Sequence, residues 1–66
     1  MARSLTQADI NEGRTVYLEC CDRFIAQWWF VGPFTPADAD VVADGYRNAG
    51  VRVDSIAAPT GYQPKE

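Results

Sequence analysis

The chain has 66 residues, with six Lys and Arg against nine Asp and Glu, no His, two Cys, and 47% hydrophobic residues. That length holds one small domain and not two. The apolar stretch from Phe24 to Phe34 is too rich for a disordered tail, and a net charge of −3 excludes a surface built to neutralise nucleic-acid phosphates.

Ser4 to Gly13 reads as a short first helix. Thr6 is placed as N-cap with Asp9 three residues on, which makes a capping box. Leu5 and Ile10 bracket that cap as a hydrophobic staple, and Gly13 is placed to end the helix. Arg14 to Cys21 alternates as a strand, with Val16, Leu18 and Cys20 on one face and Tyr17, Glu19 and Cys21 on the other. Cys21-Asp22-Arg23 is read as the turn, without Gly or Asn to name its type. Phe24 to Val31 reads as the second strand. Phe24, Ala26, Trp28 and Phe30 share one face; Ile25, Gln27, Trp29 and Val31 share the other. Gly32-Pro33-Phe34 is expected to break it.

Thr35-Pro36-Ala37-Asp38 then opens a helix to about Ala49, with a Thr cap, Pro at the first position and an acid at the third. Its buried stripe is read as Ala39, Val42, Tyr46 and Ala49, with Asp40, Asp44, Arg47 and Asn48 opposite and Gly50 as the terminating glycine. Val51 to Ile56 alternates as the third strand. The expected organisation is one domain over residues 1–58 and an extended tail over 59–66, where Pro59, Gly61 and Pro64 fall.

The order α-β-β-α-β predicts a small two-layer α+β domain, a three-stranded sheet with one long helix on a face. The first two strands should form an antiparallel hairpin; the third is left beside either the first or the second, with the first preferred as in half of a ferredoxin-like fold. A core of this size rarely supplies more than about 3–5 kcal/mol, so such domains add disulfides, a metal or a partner. Adjacent Cys20 and Cys21 do not suit a disulfide, and two thiols without His do not complete a zinc site. No metal or other cofactor is expected, which leaves self-association, as a homodimer, or a larger protein partner. Met1 to Gln7 lacks a signal-peptide core and no stretch reaches about 18 apolar residues, so a cytoplasmic chain with reduced thiols and no membrane contact is expected.

Enzyme chemistry finds few candidates. There is no His for acid–base work, the glycines match no phosphate-binding loop, and Glu19 and Asp22 beside the thiols oppose thiolate formation. The chain is therefore expected to be a non-enzymatic binding module. With two apolar faces on its second strand, the outward one is expected to meet another molecule, through Ile25, Trp29 and Val31. Asp40 and Asp44 on the outer face of the long helix are the expected acidic contact with a basic surface.

Val31-Gly32-Pro33-Phe34-Thr35, followed by Ala39, Tyr46 and Ala49-Gly50, resembles one half-repeat of the SPOR family of peptidoglycan-binding domains. The resemblance covers about a third of the chain and implies a strand–helix–strand unit and a glycan-binding role. In type, a tiny acidic chain without His resembles the accessory proteins with which phages block host machinery, anti-CRISPR proteins among them. That likeness implies a phage-encoded inhibitor that occludes a host protein complex, with no direct nucleic-acid contact.

Overall fold

A computed structural model describes residues 2–64. The elements are α1 (Gln7–Asn11), β1 (Val16–Asp22), β2 (Gln27–Phe34), α2 (Pro36–Asn48) and β3 (Arg52–Ala57). The three strands form one antiparallel sheet in the order β2-β1-β3, so β3 lies beside β1 as the order of elements suggested. The domain is α+β, with α2 across one face of the sheet.

Both helices start and stop as their sequences dictate. Thr6 caps α1 with both halves of the capping box in place, and the Thr35 side chain accepts from the Asp38 backbone N–H at the head of α2. At the end of α1, Gly13 and Arg14 donate to the carbonyls of Ile10 and Asp9; at the end of α2, Gly50 and Val51 donate to those of Arg47 and Tyr46. Each is a Schellman pair closed by a positive-φ glycine.

The hairpin departs from its expected bounds. The observed loop is Arg23 to Ala26, closed by the pair Asp22–Gln27, so β2 begins at Gln27 rather than Phe24. Asp22 Oδ1 accepts from the Phe24 N–H at 3.0 Å, an Asx turn, and Ala26 closes the loop at φ +53°. The four-residue loop pairs even with odd, Cys20 with Trp29 and Leu18 with Val31. That pairing sets Trp29 and Val31 on the face of Leu18 and Cys20, and Trp28 on the other. The expected strand ends, Cys21 and Phe24, would also pair odd with even, so the correction lies in which face of β2 is inward and not in the parity of the pairing.

The faces follow from that register. Beneath α2, Leu18, Cys20, Val31 and Val53 pack with Ala39 and Ala43 of the helix; Trp29, Phe34, Val42 and Tyr46 complete this cluster. Ala43 replaces Ala49 in the expected helical stripe, since Ala49 is exposed as the C-cap. Gly32-Pro33-Phe34 does not end β2. The register shifts by one residue between Val16 and Leu18, a bulge that lets Val31 and Phe34 face the same way although three apart. Gly32 sits there at φ +129°, where a Cβ would lie 3.0 Å from the Val16 carbonyl oxygen and 3.2 Å from the Tyr17 ring.

A second, smaller cluster covers part of the other face. Tyr17 is fully buried there among Leu5, Ala58 and the partly buried Ile10, Ile56 and Tyr62. The boundary drawn at residue 58 is not a boundary in packing. Gly61 donates to the Leu5 carbonyl at 2.8 Å, Leu5 donates to Tyr62 at 3.1 Å, and the Tyr62 ring lies 5.4 Å from that of Tyr17. The expected extended tail thus folds back on the N-terminal segment, because Pro59 and Gly61 turn the chain toward the apolar surface that Tyr17 presents. Its last two positions, 65 and 66, lie outside the described residues.

Candidate functional site

The polar side chains that the sequence placed near the first helix form a structural hub. Asp9 is 1% exposed. Arg3 grips its carboxylate with two bonds of 2.5 Å, Arg14 Nη2 reaches it at 3.2 Å, and the Thr6 N–H and hydroxyl donate to it at 2.9 Å each. The Arg3 guanidinium, with the Thr6 N–H next, holds the Asp9 carboxyl well below the usual carboxylate range, against the opposing effect of burial. The Tyr17 hydroxyl donates to the Arg3 carbonyl, tying this hub to the smaller core. A carboxylate so fully paired is already occupied as a clasp, and no proton is left to exchange at neutral pH.

The two thiols are both buried and free of disulfides. Burial pushes the Cys20 thiol up, away from the thiolate that nucleophilic or ligand chemistry needs. Among the described residues no group of three or more Cys, Asp or Glu is arranged to hold a metal ion, and no helix is long and apolar enough to cross a membrane.

The expected contact residues do not share one surface. Trp29 lies under α2, its ring meeting that of Tyr46 edge to face at 6.0 Å, and Val31 is buried in the main core beside Leu18. Their outward placement in the sequence reading is corrected by the strand pairing, which sets them on the face of Leu18 and Cys20 beneath α2 and their neighbours on the other. Ile25 is exposed, in the hairpin loop and not on a strand face. Asp40 and Asp44 are exposed on α2; Asp44 lies 3.8 Å from Arg47, and Asp40 stands at the rim of a groove between α2 and the sheet. That groove is a shallow cavity of about 140 Å³ floored by Val16, Leu18 and Ser55.

What the register turns outward is Trp28. It is 57% exposed, and beside it in the hairpin stand Phe24, 92% exposed, and Ile25, 60% exposed. Three large apolar side chains within five residues thus crown one end of the sheet. An isolated exposed apolar residue needs no explanation, whereas several at one hairpin tip make a candidate contact. Phe24 and Trp28 were missed because alternation placed them on a core-facing strand. The available signal was Asp22, whose side chain favours a turn that starts one residue later than the one assigned.

Comparison of the chain with protein-family models, with curated proteins and with solved structures finds no match. The likeness to a SPOR half-repeat thus rests on residues 31–35 and the helix that follows them.

Proposed function

We propose that this chain is a small protein-binding module that acts by occlusion, without chemistry of its own, and that the tip of the β1–β2 hairpin is its contact. The observation that carries this is the exposed trio Phe24, Ile25 and Trp28 where, among the described residues, the other large apolar side chains, Val41 apart, find at least partial cover. Rigid aromatic side chains bury large area at small entropic cost, which is why they anchor interfaces. The loop is held by its Asx bond and by the strand pair at its base, so little ordering is needed on binding. Asp40 and Asp44 on α2 make a second, acidic contact in this reading, suited to steering toward a basic partner.

The narrower form is a phage-encoded inhibitor of a host protein complex. It is supported by small size, acid excess and the lack of His, and by a buried Cys20 poorly suited to nucleophilic attack. The test compares capture from host lysate by the full chain and by the triple variant Phe24→Ser, Ile25→Ser, Trp28→Ser. A protein recovered by the first and lost with the second, at unchanged circular dichroism, is the expected result. Equal recovery by both, or recovery by neither, overturns the assignment of the tip.

A further inference from the structure

We infer that the free edge of β3 docks a second copy of this chain, pairing antiparallel about a two-fold axis at Val53 to make a six-stranded sheet. The argument starts from the hydrogen-bond parity of the sheet. Among the described residues β3 pairs with β1 alone. Just past the strand, the Ala58 N–H donates to the Thr15 carbonyl at 3.1 Å, in the same register as the ladder. Arg52, Asp54 and Ile56 therefore turn their backbone groups toward β1, and Val53 and Ser55 turn theirs outward. The opposite edge of the sheet differs, because Ala2 bridges to Gly32 of β2 there. An unpaired row of N–H and C=O groups is a template for another strand.

Symmetry and charge then select the occupant and the register. A two-fold axis normal to the sheet keeps like faces together, so even residues must oppose even residues. Four centres satisfy this within the strand, and pairing about Ile56 sets Ser55 against Ala57 and Asp54 against Ala58, leaving Arg52 without an acid. Pairing about Asp54 sets that carboxylate against its own copy. Pairing about Ser55 sets Asp54 against Ile56 and leaves Arg52 without an acid. Pairing about Val53 sets Arg52 of each copy opposite Asp54 of the other, twice. Those would be non-hydrogen-bonded pairs, in which side chains approach most closely. The two side chains lie 3.6 Å apart within one chain and are both more than half exposed, so they can exchange partners across the axis.

The backbone accommodates this register. The two Val53 residues exchange both of their bonds, and each Ser55 N–H meets the Val51 carbonyl of the other copy. The Val51 N–H is not needed, since it already donates to Tyr46 at 3.0 Å. Arg47 Nη2 reaches the Val53 carbonyl at 3.2 Å from α2, and a carbonyl oxygen has a second lone pair for the added strand. Arg52 and Asp54 are a complement that each copy carries for the other, which a foreign strand would have to match by chance.

Sedimentation equilibrium of the full chain, from about ten micromolar to one millimolar, tests the inference, because edge pairing over so few residues gives weak association. The weight-average mass should rise from 7.3 kDa toward twice that value. Asp54→Arg alone should weaken association at least about ten-fold by placing like charges in opposition, and Arg52→Asp alone should do the same. The double variant Arg52→Asp, Asp54→Arg should regain the original affinity to within about three-fold, since additivity fails where residues pair directly. The hairpin-tip triple variant should associate as the parent does, so failure here is distinct from failure of the tip as a contact. A mass of 7.3 kDa throughout overturns the inference, whatever strand the edge then accepts. So does a dimer indifferent to Asp54→Arg, or one that the double variant does not restore.

Discussion

The two ends of β1 receive opposite treatment. Around Tyr17 the chain's own termini cover the sheet, every polar group of the Asp9 hub has a partner, and the hydroxyl of a fully buried ring is tied to a backbone carbonyl. At the other end, past Cys21 and Asp22, the hairpin leaves Phe24, Ile25 and Trp28 bare. Both ends belong to one continuous strand seven residues long. A chain this short has covering segments for one end only. It uses them where an unpaired carboxylate and tyrosine would cost most, and leaves uncovered the side chains whose exposure costs only hydrophobic free energy.

That contrast can be broken by substitution, with the largest effects at the pinned end. Tyr17→Ala should destabilise by about 3–5 kcal/mol, as truncation of a fully buried aromatic does, and so unfold much of the population at 25 °C. Urea unfolding measures it; a loss below about 1 kcal/mol would mean that the smaller core contributes little. Next in size is the pair of adjacent tryptophans. Trp29→Ala, under α2, should cost about 2 kcal/mol, whereas Trp28→Ser should stay within about 0.5 kcal/mol. The same denaturation series checks both, and equal losses would contradict the observed register. Thr35→Ala should cost about 1 kcal/mol through loss of the α2 cap, read as a fall in Tm of roughly 4–8 °C.

The Asp9 hub adds a dependence on acidity that the tip lacks. Its folded carboxyl titrates below the unfolded value, so the folded state binds fewer protons in that range. The stabilisation is complete above the unfolded carboxylate pKa of about 4 and declines as pH falls below it. Urea midpoints at pH 7, 4 and 2.5 should fall in that order for the parent chain. For Asp9→Asn the parent's advantage at pH 7 should shrink by pH 2.5; an undiminished advantage would remove the charge from the explanation.

Much of this was legible in the sequence. The capping box at Thr6 and Asp9, the Thr35-Pro36 helix start and the closing glycines depend on residues at fixed local spacing, so they could be read without the fold. The order of elements left β3 beside either β1 or β2, and the structure places it beside β1. The phase of β2 was not legible, because alternation gives two faces without saying which is inward, and both faces of this strand carry large apolar side chains. The Arg3–Asp9–Arg14 hub was hidden for a different reason. Asp9 was already accounted for as a cap, and nothing local says that two arginines five and six residues away converge on the same carboxylate. The docking of Tyr62 on Tyr17 joins positions 45 apart in sequence, beyond the reach of any periodicity.

One consequence follows from the clasp between Leu5 and residues 61 and 62. It brings Ser4 and Gln63 into contact at 3.1 Å, at the Tyr17 end of β1. The hairpin crown stands at the opposite end, roughly 20 Å away at about 3.3 Å per strand residue. Cargo grafted beyond either of these two positions, such as a fluorophore, a bead or a carrier domain, would hang from the rear of the molecule and leave the crown unobstructed.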